Sequence, residues 1–478
     1  MQNTHPLVVD LDGTLIRTDM LQESTLVVLR DNPSSLLRLP LWLAHGKAYL
    51  KRKLAERSEL DPQHLPYNLE LLSWLTKQRE AGRKLILCTA SDQIIANAIA
   101  GHLGIFDEVM ASDGVTNLSG KNKASALEQR FGNKGFDYAG NSIDDVPVWT
   151  SAQRSIVVNA SSAVSDQAAK IGHIENTFPA QAIDFGVFRR VLRVHQWMKN
   201  LLLFVPFFAS HQITQSSSWL ALMVAFVSFG LCASSVYIVN DLLDLSSDRQ
   251  HYKKRFRPFA SGAVPIWMGV LLVPLLWLGS VVLALQVNNE FLLCLGCYFI
   301  ITCAYSFKLK RLVILDCITL ALLYTLRVVA GSAAAQLPFS FWLLAFSVFL
   351  FLSLAFVKRY AELLEHSVKE SKTVHGRGYT TSDIQLIQLF GTNAGYAAVI
   401  VLALYLNSDA IVRLYRNPEI VWATVPVMLF WINWVWLQAH RGQMHDDPVV
   451  FALKDRNSLI AGFVFAVIVA LGAVGMPW

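Results

Sequence analysis

Two sets of carboxylates in this chain are spaced for chemistry. In PLVVDLDGTL, residues 6–15, an apolar run ends in Asp10 and Asp12, followed by Gly13 and Thr14. Alternate residues of a strand share a face, so both carboxylates leave the strand end in one direction. That suits a carboxylate nucleophile at Asp10 beside an acid/base at Asp12, around a magnesium ion. In NDLLDLSSDRQHYKKRFRPFASG, residues 240–262, Asp241, Asp244 and Asp248 stand at i, i+3 and i+7, along one face of a helix end. Carboxylates at this spacing can hold magnesium, and magnesium can hold a diphosphate. Arg249, Lys253, Lys254, Arg255 and Arg257 follow, cations suited to further phosphate charge. The plainer reading of the same stretch is a solvated helix end near lipid headgroups.

The elements that must position these groups differ along the chain. Of 478 residues 54% are hydrophobic and 16% charged, against about 25% charged in a soluble globular protein. The excess is uneven: residues 1–190 read as a mixed soluble sequence and residues 200–478 as long apolar runs. About 20 apolar residues cross a bilayer as a helix. Nine stretches qualify, at about 200–212 (the shortest), 219–240, 265–287, 290–307, 312–334, 340–359, 384–406, 418–438 and 458–476. Alternate linkers are short and polar or long and basic, the latter holding Lys253 to Arg257, Lys308 to Arg311, Lys358 and Arg359, and Arg441 to Arg456. The positive-inside rule puts the basic set in the cytoplasm. An odd span count then leaves the N-terminal domain cytoplasmic and the C-terminus outside the inner (plasma) membrane. The opening MQNTHPLVVDLDGTL lacks the basic and apolar regions of a signal peptide. The six cysteines fall almost entirely in apolar runs and read as small core residues.

Further along the N-terminal part, KLILCTAS reads as a buried strand ending in Thr89, whose hydroxyl suits a phosphoryl oxygen. LSGKNKASALEQRFG offers Lys121 and Lys123, and FDYAGNSIDDVPVW a third strand ending in Asn141, Asp144 and Asp145. Acid, hydroxyl, lysine and acid in this order fit a doubly wound α/β sheet with its chemistry at the carboxyl ends of the strands. The set resembles the haloacid dehalogenase superfamily over residues 5–175. The resemblance implies a magnesium-dependent phosphatase with Asp10 as phosphorylated nucleophile and Asp12 as general acid/base. It implies Thr89 and Lys123 as phosphoryl contacts and Asn141 and Asp145 at the metal. Asn141 is a departure, since that family usually carries aspartate there; the amide oxygen can still ligate magnesium but brings no charge. The insertion after the first motif, about 15–80, reads as a small helical cap. Its LLRLPLWLAHGKAYLKRKL is both basic and apolar, which fits packing on the sheet or lying on a membrane.

NDxxDxxxD after a long apolar helix resembles the UbiA-type prenyltransferase superfamily, over residues 185–478, an all-α bundle joined to the α/β domain by an amphipathic linker at 181–199. The stretches RVHQWMKNLLLFVP, DRQHYKKRFRPFASG, YSFKLKRLVILD, LRVVAGSAA, VKRYAEL, RGYT and HDDPVVFALKDR resemble its polyprenyl-phosphate phosphoribosyltransferase branch, of the decaprenyl-phosphate type. The resemblance implies transfer of 5-phosphoribose from phosphoribosyl pyrophosphate to a polyprenyl phosphate. Asp241, Asp244 and Asp248 would then hold Mg2+ on the pyrophosphate. Lys199, Asn240, Lys253, Arg255, Arg257, Tyr305, Lys310, Asp316, Arg327, Lys358, Arg359, Glu362, Asp446, Asp447 and Lys454 would serve the substrates, with His195, His251 and His445 as weaker phosphate candidates. Ordinary aromatic prenyltransferases carry a second aspartate pair. Here Asp316 is followed by Thr319 and Leu320, so one diphosphate clamp is expected.

Three functions follow as expectations. The first is a bifunctional membrane enzyme whose phosphatase domain removes the 5-phosphate from the transferase product. The second is an aromatic prenyltransferase with an unrelated or inactive phosphatase domain. The third is a non-catalytic membrane scaffold. The expected partners are the membrane, a polyprenyl phosphate, phosphoribosyl pyrophosphate and a second copy of the chain, with no nucleic acid.

Overall fold

The computed structural model describes residues 5–210, 216–368, 378–408, 411, 414–444 and 447–474. The chain divides into two compact units, Met1–Leu192 with Tyr237–Pro274, and Arg193–Val236 with Leu275–Trp478.

The first unit is built on six strands, β1 (Leu7–Val9), β2 (Leu85–Asp92), β3 (Glu108–Ser112), β4 (Asp137–Gly140), β5 (Arg154–Val158) and β6 (His173–Phe178). They pair in parallel in the order β3-β2-β1-β4-β5-β6. Helices cover both faces of such a sheet, which is why β1 is an unbroken buried apolar run rather than an alternating one. Strand order reverses at β1, where Leu7 is in register with Leu85 on one side and Asp137 on the other. A crevice forms at that switch point beyond the strand ends, and Asp10 is the first residue past β1.

Four helices lie between β1 and β2: α1 (Met20–Asp31), α2 (Leu39–Ala44), α3 (Lys47–Ala55) and α4 (Leu69–Glu80). Asp19 caps α1 by accepting the Gln22 N–H (3.0 Å), and Asn68 caps α4. The expected cap is shorter than 15–80. In α4, Leu71 and Leu75, one helical turn apart, bury in the same cluster as Leu7, Val9, Leu85 and Leu87, so α4 belongs to the sheet layer.

Among the described residues, eight helices are long and apolar enough to cross a membrane. They are Ser216–Leu243, Ile266–Val287, Asn289–Phe307, Leu315–Ala334, Phe341–Glu365, Thr381–Leu406, Pro418–His440 and Arg456–Val474. The expected ninth, at 200–212, is instead a 3-10 helix, Val194–Phe204, followed by the short helix Val205–Ala209. Two causes are visible. Pro206 fits only the first turn of a new helix, and Lys199 and Asn200 are buried polar side chains whose partners fix the local path. Counted over the described residues the number is even, so the odd count from which an outside C-terminus was expected is not shown.

In the second unit the helices around Leu315–Ala334 and Phe341–Val368 share one core with those at Ile384–Leu406 and Thr424–His440. Gly331 permits the closest approach there: a Cβ at that position would stand 2.0 Å from the Leu203 carbonyl oxygen.

Candidate active sites

The crevice beyond β1 brings together the residues singled out from the first motif set. Lys123, from the helix Gly120–Phe131, is buried and donates to Asp10 Oδ1 (2.7 Å) and Tyr138 Oη (2.8 Å). Tyr138 donates to Asp145 Oδ1 (2.7 Å). The other oxygen of Asp145 accepts the backbone N–H groups of Asn141 (2.9 Å) and Ser142 (3.0 Å). Asp12 Oδ1 accepts the Met20 N–H (2.7 Å), which ties it to the start of α1, and Oδ2 accepts from Ser91 Oγ (2.7 Å) and Thr89 Oγ1 (3.5 Å). Gly13 has φ +73°, and a Cβ there would lie 2.0 Å from Asn141 Nδ2, so the Asn141 amide rests on the loop beside Asp12.

Burial pushes the Asp10 carboxyl up to about 7, with Lys123 opposing and Asp145 and Asp12 adding to the rise. Burial also lifts Asp12 to about 6, helped by Asp19 and resisted by its Ser91 and Met20 hydrogen bonds. Burial disfavours the Lys123 ammonium, but Asp10 and Asp145 outweigh it and hold the group charged. The buried Asp10 carboxylate beside the half-buried Asp12 is a donor set that a divalent cation fits. Among the described residues no three His, Cys, Asp or Glu side chains group as metal ligands. The Asn141 amide, against the Gly13 loop, is a neutral candidate for a further donor. Asp145, with both oxygens engaged, braces this loop and Lys123.

Sequence reasoning missed Lys51, on α3. Its ammonium donates to the Ala90 carbonyl (2.6 Å) and to Asn117 Oδ1 (3.0 Å), next to Thr89 and Ser91. Burial lowers its pKa, and the charges of Asp12 and Asp19 offset this in part. Its neighbour Arg52 pairs with the buried Asp92 (3.1 Å) and donates to the Asp113 carbonyl (3.0 Å), which fixes α3 over the end of β2. The sequence signal was the basic run KAYLKRKL, whose side chains could not be assigned to a face in advance. A partly buried cation resting on two neutral oxygens is suited to an anionic ligand. Lys51→Met is expected to raise KM for a phosphomonoester about tenfold or more, from a lost charge-assisted contact of about 1.5–3 kcal/mol, with a smaller change in kcat. Steady-state titration checks this; an unchanged KM would remove Lys51 from the site.

The aspartate-rich stretch lies in the same compact unit. The long helix ends at Leu243, Asp244 takes a non-helical conformation (φ −95°, ψ 12°), and a short helix resumes over Leu245–Gln250. The three aspartates therefore do not share one continuous helix face. The break turns Asp241 and Asp248 toward one guanidinium, with Arg257 Nη1 at 3.1 Å from Asp241 Oδ1 and 2.5 Å from Asp248 Oδ2. Asp241 and Asp248 are buried, and burial raises the Asp248 pKa against the pull of Arg257. Paired anionic oxygens drawn around a positive charge are also a donor set that fits magnesium. Lys253 and Arg255 are exposed, over the rings of Tyr252 (5.3 Å) and Phe256 (4.9 Å).

Arg249 does not serve a phosphate here. It forms a buried two-pronged pair with Glu23 of α1 (2.6 and 3.1 Å) and donates through Nε to the Ala260 carbonyl (2.9 Å). Thr18 Oγ1 donates to the same Glu23 (2.6 Å). A lone buried charge is costly, so Glu23→Ala is expected to destabilise the protein by about 3–5 kcal/mol. Adding Arg249→Met should recover part of the loss. Unfolding of the detergent-solubilised variants measures both, and full stability of Glu23→Ala would contradict the pairing.

In the second unit the remaining predicted residues fall into three clusters. Asp447 accepts from Lys199 (2.9 Å), Lys358 (3.3 Å) and Tyr324 (2.7 Å). Burial would raise its pKa, but Lys199 and Lys358 hold it well below the usual carboxylate range. Arg359 pairs with Asp316 (2.5 Å) and Glu362; Arg359 and Asp316 are fully buried, and Tyr379 donates to Asp316 (2.6 Å). Arg327 donates to Asn200 Oδ1 (3.1 Å), the Leu323 carbonyl (2.8 Å) and Tyr298 Oη (2.9 Å), contacts that brace neighbouring helices. Tyr305 and Lys310 are half-buried near the end of Asn289–Phe307, and Lys454 is exposed. Asn240 is half-buried in the long helix ahead of Asp241. His445 and Asp446 lie outside the described residues.

Comparison with known proteins places both constellations. The UbiA prenyltransferase family matches residues 201–464, and the haloacid dehalogenase-like hydrolases match residues 7–149. An uncharacterized protein, y4nM, of Sinorhizobium fredii is 37% identical over 464 residues, covering 96% of this chain and 90% of that protein. Nodulation protein NoeC of Azorhizobium caulinodans is 35% identical over 288 residues, 59% of this chain and 91% of that protein. The decaprenyl-phosphate phosphoribosyltransferase of Mycolicibacterium smegmatis is 37% identical over 178 residues, 36% of this chain and 56% of that protein. With eight apolar helices, an aspartate-rich loop and this match over more than half its length, the chain belongs to the UbiA prenyltransferase family and carries an N-terminal haloacid dehalogenase-like domain.

Proposed function

We propose that the protein transfers 5-phosphoribose from phosphoribosyl pyrophosphate to a polyprenyl phosphate and then removes the 5-phosphate from the lipid product. The observation that carries this reading is that the Asp10–Lys123 site and the Asp241–Arg257–Asp248 cluster belong to one compact unit. The product of such a transfer is a phosphomonoester, the ester class that a carboxylate nucleophile opens. Joining both sites in one chain raises the local concentration of the intermediate. The similarity of a 178-residue segment to a protein named decaprenyl-phosphate phosphoribosyltransferase supports the choice of donor and acceptor.

In the transferase half, an oxygen of the lipid phosphate attacks the ribose C1 as the pyrophosphate leaves. Asp241, Asp244 and Asp248 would hold Mg2+, which supplies positive charge to the departing diphosphate. Lys199 and Lys358, gathered on Asp447, are the cations assigned to anionic substrate oxygens. Lys253 and Arg255, both exposed, serve the outer phosphates. In the phosphatase half, Asp10 attacks phosphorus and Asp12 gives its proton to the leaving ribose oxygen. Asp12 then takes a proton from the water that opens the aspartyl phosphate. Thr89, Lys123 and Lys51 hold the phosphoryl oxygens, and Asp10, Asp12 and Asn141 would hold the second Mg2+. The basic linkers support a cytoplasmic position for both sites.

The family's own name supports a second reading, prenyl transfer from a prenyl diphosphate to an aromatic acceptor. Purified protein given labelled phosphoribosyl pyrophosphate and a polyprenyl phosphate distinguishes them. Label in the lipid extract is expected; coupling of an aromatic acid to a prenyl diphosphate with no use of phosphoribosyl pyrophosphate would overturn the first reading.

A further inference from the structure

The cap carries an apolar surface that the chemistry above does not use. Between α1 and α3 the chain runs PSSLLRLPLWLA, residues 33–44, as a 3-10 helix (Pro33–Leu37) and then α2. Its leucines point outward: Leu36 is 59% exposed, Leu37 79%, Leu41 64% and Leu43 50%. Contiguous exposed leucines on a folded domain mark an interaction surface. Arg38 and Lys47 are exposed beside them, and Arg57 stands over the Trp42 ring (4.9 Å).

One contact and one exposed helix start within the same compact unit bear on what covers this surface. Arg30, in the last turn of α1, donates to Ser246 Oγ (2.8 Å), just past Leu243, where the apolar helix Ser216–Leu243 ends. The leucine segment starts at Pro33, three residues beyond Arg30, so it begins near the end of a helix long and apolar enough to cross a membrane. The unit also includes the start of the membrane helix Ile266–Val287, whose Trp267, Val270 and Leu271 are exposed. Apolar side chains rimmed by lysine and arginine are the composition of an interfacial anchor on anionic lipid.

We propose that Leu36, Leu37, Leu41 and Leu43 seat the cap in the headgroup–acyl boundary of the bilayer that holds the chain's own helices. Anionic lipid meets Arg38, Lys47 and Arg57. Because α3 follows directly after Gly46, the seated cap holds Lys51 and the crevice beyond β1 at the membrane surface. A phosphomonoester on a lipid then reaches Asp10 without leaving the bilayer. This last step rests on the phosphatase reading above; the seating itself does not.

The test uses the full chain in nanodiscs of mixed zwitterionic and anionic phospholipid. An environment-sensitive fluorophore on Leu37→Cys, with wild-type labelling subtracted, is expected to emit to the blue and to be quenched by brominated lipid. Purely zwitterionic discs should weaken both signals. Leu36→Ser with Leu37→Ser and Leu41→Ser is expected to lower kcat/KM for a lipid-borne phosphomonoester about tenfold, and to leave that for p-nitrophenyl phosphate within about twofold. A water-exposed fluorophore overturns the seating. So does a shielded fluorophore that bromolipid fails to quench while labelled copies crosslink to one another, since the occupant is then a second copy. Quenching with equal loss on both substrates, or with no loss on either, keeps the seating and removes the lipid-borne substrate from the phosphatase reading.

Discussion

Asp241→Asn and Asp244→Asn are each expected to abolish the formation of lipid-linked ribose, lowering transfer by about 10²–10³-fold, the scale of losing one preorganised electrostatic group. The two substitutions probe different parts of one cluster. Asp241 is buried and shares Arg257 with Asp248. Its carboxamide removes a charge while leaving Arg257 a carboxylate partner. Asp244 sits where the long helix breaks and the short one begins. The Asp244 side chain makes no capping hydrogen bond to the short helix, so Asp244→Asn keeps the break and removes only charge. Both variants should therefore purify at normal yield, and transfer measured per mole of folded protein isolates the chemical effect. Near-normal transfer in both would end the assignment of these carboxylates to the diphosphate metal. Lys253→Ala makes a useful contrast, because its ammonium is exposed: a rise in KM for phosphoribosyl pyrophosphate is expected, not a loss of turnover.

Asp10→Asn is expected to leave phosphoribosyl transfer intact and to trap the lipid with its 5-phosphate in place. A carboxamide cannot accept the phosphoryl group, and removal of a nucleophile costs roughly 10³-fold or more. The fold should survive, since Lys123 keeps its Tyr138 hydrogen bond and Asp145 at 3.8 Å as counter-charge. Mass spectrometry of the lipid extract reads the result directly. The same dephosphorylated lipid from wild type and Asp10→Asn would take this step away from the N-terminal domain.

The order of the first site was legible because it depends on local pattern. Buried strands that end in Asp10, Thr89 and Asn141 are visible as apolar runs, and a parallel sheet must gather their carboxyl ends. The membrane helices were legible for the same reason, as length and hydropathy. What was not legible depends on pairing across the chain. Nothing near Glu23 shows that it meets Arg249, 226 residues away, and without that partner Arg249 reads as one more cation in a basic run. Tyr138 was not singled out, and Tyr379 only as part of RGYT, although their hydroxyls carry Asp145 and Asp316. The segment 200–212 read as a membrane span because its apolar content was counted before the demands of Lys199 and Asn200 could be known. The partners of Arg327, on Asn200, Leu323 and Tyr298, are likewise spread across the chain.

The bifunctional claim is tested most directly by one incubation with doubly labelled phosphoribosyl pyrophosphate, carbon label in the ribose and phosphorus label on the 5-phosphate, together with a polyprenyl phosphate. The account predicts that carbon label enters the lipid extract while phosphorus label appears there only transiently and accumulates as inorganic phosphate. Lipid that keeps both labels in constant ratio, or takes up neither, would contradict it.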